Sequence, residues 1–213
     1  MKENPTTNHL PRAAASMRKE EELIARHFSE HMDMAARSFE LLQPQILDTA
    51  ALITHALAFS RKLIVFGNGG SATQASHLVG ELVGRFSKAP RRPLPAIALG
   101  ADSGVVTCIG NDFGYDSLFW RQVEAFAQPG DIAIGFTTSG QSENVLRGLS
   151  MATKKDAVTI ALTGEAGLAQ DVAKHVLKVP SASTAYIQEV HLMILHMWCL
   201  AIDASFIGGN GSN

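Results

Sequence analysis

The stretch Leu63-Ile-Val-Phe-Gly-Asn-Gly-Gly-Ser-Ala-Thr-Gln-Ala-Ser-His-Leu-Val-Gly-Glu-Leu82 decides the fold. Leu63 to Phe66 predict a short buried strand, Gly67 to Ser71 a glycine-rich turn, and Ala72 to about Phe86 a helix. Gly67, Gly69 and Gly70 let the backbone turn sharply and come close to a ligand. The helix behind such a turn aims free N–H groups and a positive dipole end at it, which suits an anion or a sugar oxygen. His77 and Glu81 follow at i and i+4, so an imidazole and a carboxylate share one helix face near the turn. Two readings fit these residues. One is a ligand-holding turn with a polar pair beside it. The other is a tight βα turn followed by an amphipathic helix with two incidental polar residues.

Outward from this stretch the chain alternates strand and helix, the pattern of a parallel sheet covered on both faces. Further strands are predicted at Ala96 to Leu99, Ile132 to Phe136, Val158 to Leu162 and Val176 to Val179. Each is short, apolar and bounded by Gly, Pro or charge. Helices are predicted over 72–86, 117–127, 142–154 and 167–174, and from about Thr184 to Phe206. The fold class is therefore α/β, with a five-stranded parallel sheet flanked by helices.

Before the first strand, residues 1–16 are polar, carry Pro5 and Pro11, and read as a mobile tail. From about Met17, Ile24, Phe28, Met32, Ala35, Phe39 and Leu42 make one apolar helical stripe. Pro44 is expected to end that helix and to open a second one carrying Ile46, Ile53 and Leu57. Two N-terminal helices, a helical hairpin, thus precede the sheet. Residues 17–207 form a single domain, and 208–213 a flexible Gly/Asn/Ser tail. The apolar faces of the hairpin exceed what one sheet covers and suit a second subunit.

After the third strand comes Phe136-Thr-Thr-Ser-Gly-Gln-Ser-Glu-Asn144. Thr137, Thr138, Ser139 and Ser142 stand where a strand ends and a helix opens. Their O–H groups and the backbone N–H groups can cradle a phosphate without adding charge. Simple helix capping by Ser139 or Ser142 is the competing explanation. Four hydroxyls in six positions exceed what a cap needs. In the last helix Gln188 and His196 lie a little over two turns apart, on roughly one face. A lone histidine in an apolar helix, as His191 and His196 are, is more often a satisfied core residue than a ligand. Between Glu189 and Asp203 that helix has no formal charge unless its histidines carry one, so burial is expected.

Composition narrows the classes. Of 213 residues, 46% are hydrophobic and 18% charged, as in a folded globular chain and unlike a disordered one. The net charge of -2, without a basic block, gives no footprint for nucleic acid. The uncharged run of the last helix is short of the ~20 apolar residues that span a bilayer, so no membrane partner is expected. Cys108 and Cys199 make neither a disulfide framework nor a zinc knuckle and read as buried thiols of a reducing compartment. With no signal-type apolar segment at the N-terminus, a cytoplasmic protein is expected.

Four segments together resemble the phosphoheptose isomerase family of the sugar isomerase (SIS) fold: FGNGGSATQASHLVGELVGRF, GNDFG, TTSGQS and IQEVHLMILH. The resemblance spans about Met17 to Phe206. It implies a flavodoxin-like three-layer fold and a homotetramer with active sites at subunit interfaces. It implies conversion of D-sedoheptulose 7-phosphate to D-glycero-D-manno-heptose 7-phosphate, the first step toward ADP-heptose and the lipopolysaccharide core. By position, Asn68, Gly69, Gly70, Ser71, Asn111 and Asp112 would contact substrate, together with Glu81 and Gln188. Thr137, Thr138, Ser139 and Ser142 would hold the phosphate. His77, Glu81, Gln188 and His196 match the family's zinc quartet, one zinc per subunit, with Glu81 as general base and His196 as general acid. Tyr186 departs from the family pattern, where many members have Arg. A non-catalytic SIS protein, binding the replication initiator or sensing a sugar phosphate, is the alternative. It would not need Glu81 and His196, and the presence of both favours the enzyme.

Overall fold

The structure, a computed structural model, describes the backbone of residues 10–207 and the side chains of residues 17–207. Five strands form one sheet: β1 (Leu63–Gly67), β2 (Ala96–Ala98), β3 (Ile132–Thr137), β4 (Val158–Thr163) and β5 (His175–Lys178). Their order is β2-β1-β3-β4-β5, and every pairing is parallel. Among the described residues six α-helices accompany them: α1 (Leu10–Ala58), α2 (Gly70–Val83), α3 (Ser103–Phe113), α4 (Leu118–Phe126), α5 (Glu143–Lys154) and α6 (Thr184–Phe206).

Side chains alternate across the pleat and divide the core in two. Leu63, Val65, Ile134, Phe136, Ile160 and Leu162 face a layer made by α1, α2 and α6. Ile64, Phe66, Ala133 and Ala161 face the other layer, with Phe119 and Val123 of α4 and Val145 and Leu149 of α5. Burying each large apolar side chain is worth about 1.5–3 kcal/mol. The sheet is thus fixed from both faces, as expected of parallel strands.

Several expectations are corrected. The N-terminal hairpin is one continuous helix of 49 residues, α1, with Pro44 inside it. Proline removes one helical hydrogen bond but does not forbid continuation when packing holds both sides. Leu42 lies buried before Pro44, and Ile46, Ala50, Ile53 and Leu57 lie buried after it. The Trp198 indole N–H of α6 donates to Thr49 Oγ1 at 3.0 Å, fastening the second half. The helix starts at Leu10, inside the expected tail; residues 1–9 and the expected tail 208–213 lie outside the described residues.

Residues 167–174 form no helix. Their backbone bonds go elsewhere, Ala169 N–H to the Gly140 carbonyl and Lys174 N–H to Thr159 Oγ1. In return α3 stands where no helix was expected, its N-terminus capped by the Asp102 carboxylate, which accepts from Gly104 and Val105 N–H. Cys199 is buried as expected, but Cys108, on α3, is exposed.

By length and composition α6 is apolar enough to cross a membrane. Here Ile187, Val190, Ile194, Leu195 and Trp198 bury themselves in the core beneath the sheet.

Candidate active site

The chain leaves β1 toward β2 on one side and β3 on the other, so the carboxyl ends of β1 and β3 flank a topological switch point, where open α/β sheets bind ligands. Gly67 pairs with Phe136 there, and the turns that follow both strands stand side by side. A Cβ on Gly67 would come 2.9 Å from the Phe136 carbonyl and 2.8 Å from Ser71 Cβ, so glycine is what lets the two turns approach. Gly69 caps α2 at φ 56°, and Ser71 is buried in the first turn.

Asn68 joins the two turns. Its amide and that of Asn144, buried on α5, donate to each other reciprocally at 2.9 Å. The Tyr115 hydroxyl also donates to Asn68 Oδ1 at 2.8 Å. Neither Asn144 nor Tyr115 was among the expected site residues. Their signals are plain afterwards: an amide on the buried face of an opening helix, and a tyrosine directly after Gly110-Asn-Asp-Phe-Gly114.

The hydroxyl loop is organised from within. Thr137, buried, donates to Ser142 Oγ at 3.3 Å and accepts from Gly140 N–H at 3.2 Å. Ser139 accepts from Gln141 N–H. Thr138 lies half-buried between them. Ser142 is the N-cap of α5, yet its side chain makes no capping bond. The capping explanation therefore does not account for that serine, and the α5 N-terminus keeps an uncapped positive end toward the loop.

The third cluster joins α2 and α6. His77 Nε2 lies 3.0 Å from His196 Nε2 and 3.2 Å from Glu81 Oε1. Phe86 packs its ring 5.5 Å from that of His196. Gln74 donates its amide to the Gln188 carbonyl at 2.5 Å, and the Gln188 amide covers Gly70, where a Cβ would meet it at 2.6 Å. Glycine turn, hydroxyl loop and polar cluster are thereby linked, by Asn68–Asn144 on one side and Gly70–Gln188 on the other. Asn111 and Asp112 are exposed on α3 and bond to each other at 2.7 Å; no hydrogen bond draws them into this linkage.

The donor chemistry of the polar cluster suits zinc, which takes imidazole and carboxylate ligands. Its two short edges are close to the ~3.3 Å that separates two ligands about a tetrahedral zinc. Among the described residues no three His, Cys, Asp or Glu side chains are yet gathered tightly enough to hold an ion. Glu81 and His196 would have to close on the His77 side. The cluster is also open in the single subunit, with the His77 side chain 41% exposed. Cavities of about 380 and 370 Å³ lie instead along the outer side of α5, around Lys154 and Trp120, and contain no expected site residue.

This geometry can be set beside known proteins. The SIS domain profile matches residues 26–164. A phosphoheptose isomerase of Aquifex aeolicus is 47% identical over 183 residues, 85% of this chain and 95% of that one. The chain belongs to the phosphoheptose isomerase family. A solved phosphoheptose isomerase from Francisella tularensis superposes with a TM-score of 0.82 at 35% identity, covering 87% of this chain and 98% of that one. One from Neisseria gonorrhoeae gives 0.79 at 36%, covering 86% and 98%. Phosphoheptose isomerases thus match in sequence and in fold over nearly their whole length.

Proposed function

We propose that this chain isomerises D-sedoheptulose 7-phosphate to D-glycero-D-manno-heptose 7-phosphate, the aldose phosphate from which lipopolysaccharide heptose is built. The observation that carries the reading is the meeting of Glu81 and His196 on His77, beside the glycine turn and the hydroxyl loop. The phosphate sits at Thr137, Thr138, Ser139 and Ser142, before the uncapped α5. Asn68, Gly69, Gly70 and Ser71 line the path of the sugar, which reaches α2 with its carbonyl end.

The Glu81 carboxylate takes a proton from carbon 1 of the ketose, and the electron pair becomes the double bond of an enediol. His196 gives a proton to the oxygen on carbon 2. Return of a proton to carbon 2 and loss of one from the oxygen on carbon 1 complete the aldose. His77 holds both groups in register. Zinc held by His77, Glu81, Gln188 and His196, one per subunit, would polarise the two substrate oxygens. Phosphoheptose isomerase relatives and the paired Glu81 and His196 both favour an enzyme over an initiator-binding or sensing SIS protein.

The assembly we infer is a cytoplasmic homotetramer with sites at its interfaces. It is supported by the open cluster and by Ile24, Phe28 and Met32, which stand 71%, 65% and 53% exposed on α1.

Incubation with sedoheptulose 7-phosphate in D₂O, followed by proton NMR, tests the reaction. Aldose product and deuterium at the exchanging carbon are expected, and Glu81→Gln should lower both by roughly 10²–10⁴-fold. A wild-type protein with no turnover refutes the reaction. Undiminished exchange in Glu81→Gln refutes only the choice of base.

A further inference from the structure

The helices that carry the proposed base and acid are tied together at one end by a buried ion pair. Arg91, between α2 and β2, and Asp203, near the end of α6, have side chains only 1% and 5% exposed. Arg91 Nε donates to Asp203 Oδ1 at 2.6 Å. Its Nη1 donates to the Leu82 carbonyl at 2.8 Å, and its Nη2 to the Glu81 carbonyl at 2.5 Å. Asp203 Oδ2 accepts from the Ser87 N–H at 3.0 Å.

A pair of this kind is a poor way to gain stability alone, since well-packed apolar replacements are often as good. The last carbonyls of a helix need only simple donors. What the planar guanidinium adds is rigidity, because its donors engage α2 and α6 at once in fixed directions. One of its acceptors is the carbonyl of Glu81 itself. Asp203 follows His196 by about two helical turns on the same side of α6. The Ser87 N–H held by Asp203 follows Phe86, whose ring lies 5.5 Å from that of His196. Burial pushes the Asp203 carboxyl up, but hydrogen bonds from Arg91 and Ser87 outweigh it and hold it below the usual range, so the pair is charged at neutral pH.

We propose that Arg91 and Asp203 are the positioning pair of this isomerase, fixing the distance between Glu81 and His196 through the backbones of α2 and α6 without touching substrate. The inference rests on the assignment of Glu81 and His196 made above.

Three variants test it: Arg91→Lys, which keeps charge but not the fork; Arg91→Met combined with Asp203→Leu, which keeps packing; and Glu81→Gln as reference. The expected result is a kcat lower by roughly 10- to 100-fold in both clamp variants, the penalty of a misplaced catalytic group. KM should stay within about twofold, because the phosphate loop is untouched. The apolar double variant should still fold and melt cooperatively. A clamp with a merely structural role would lower the melting temperature and leave kcat per folded subunit unchanged. If both clamp variants keep kcat within about twofold of wild type while Glu81→Gln is inactive, the positioning role is overturned and the base assignment survives. If Glu81→Gln keeps wild-type kcat, the base assignment fails and the clamp inference with it.

Discussion

His77 and His196 face each other Nε2 to Nε2 at 3.0 Å, across the packing of α2 against α6. Between neutral imidazoles this contact is a hydrogen bond only if one ring presents N–H and the other a lone pair. A divalent ion would take both lone pairs and draw in Glu81. Elemental analysis of protein purified without chelator should find up to one zinc per chain. His77→Ala should lose the zinc, and its melting temperature should no longer respond to added metal. An ion at a hundredfold excess over its dissociation constant stabilises the fold by about 2.7 kcal/mol. Active wild-type protein free of divalent metal would reduce the cluster to a proton relay.

The hydroxyl loop predicts a loss confined to binding. Ser139→Ala with Ser142→Ala removes two hydroxyls from the loop, one of them the partner of Thr137. Each lost neutral donor to phosphate costs about 1 kcal/mol or more, so KM should rise by roughly tenfold or more for the pair. Unchanged KM for sedoheptulose 7-phosphate would place the phosphate elsewhere.

The strands and the linked turns were legible because their signals are local. Apolar runs bounded by glycine or charge marked all five strands within a residue or so of where they stand. Spacing alone put His77 and Glu81 on one helix face but left them open to being incidental polar residues, whereas Gln188 and His196 gained meaning only through the family resemblance. What was not legible depends on tertiary contacts. Pro44 is a stop signal that the packing of Leu42 and Ile46 overrides. The 167–174 segment has helical spacing but bonds to Gly140 and Thr159 instead. Arg91 stands beside Arg92 in the sequence, and nothing local announces that it reaches Asp203. Tyr186 stood out as a departure from the family pattern, and its role became visible only in space: it donates to Glu30 Oε2 at 2.6 Å and stacks on His27, both on α1.

The apolar stripe of α1 divides in two. Leu42 is buried in the subunit, while Ile24, Phe28, Met32 and Phe39 remain between 42% and 71% exposed. An exposed stripe of this kind calls for a partner surface, and for the homotetramer inferred above light scattering should give about four times the 22.8 kDa chain mass. Phe28→Glu with Met32→Glu should lower the assembly state while α1 stays helical by circular dichroism. A wild-type monomer at micromolar concentration would leave that surface without an occupant and refute the tetramer.

His191 predicts a pH dependence of stability. It is buried on α6, with Nε2 3.3 Å from the Thr163 carbonyl and Nδ1 unpartnered. Burial lowers its pKa from 6.5 to about 4, with the Thr163 bond pulling the other way. The folded state therefore keeps the ring neutral where the unfolded chain takes up a proton. Its contribution is complete above pH 6.5 and declines as pH falls from there to about 4. The slope is about 1.4 kcal/mol per pH unit, and the whole decline is about 3 kcal/mol. Urea unfolding between pH 7 and 4.5 should give a shallower pH dependence in His191→Gln than in wild type, the difference being the His191 contribution. Equal slopes would mean the ring is not held neutral.

Gly70 and Gln188 give the sharpest separation of stability from activity. Gly70 opens α2, and a Cβ there would lie 2.6 Å from Gln188 Nε2 and 2.8 Å from its Oε1. The obstructing atoms are the far end of a flexible side chain, which can swing away at little cost. Alanine also leaves the unfolded chain less conformational freedom than glycine, a gain of about 0.4–1 kcal/mol where the backbone tolerates a Cβ. Gly70→Ala should therefore melt at or above the wild-type temperature while displacing the Gln188 amide. If Gln188 holds substrate or metal, kcat/KM should fall by roughly tenfold or more, the cost of a lost hydrogen bond to a charged or polarised group. Gly69→Ala is the control of opposite sign. Its Cβ meets nothing within 4 Å, but φ is 56° with ψ -124°, backbone that side-chain-bearing residues rarely adopt, at a cost of about 1–3 kcal/mol. That variant should lose stability while leaving the Gln188 amide in place, so a loss of activity in it reports the sugar path at Gly69 and not Gln188. Wild-type kcat/KM in Gly70→Ala would remove Gln188 from the site.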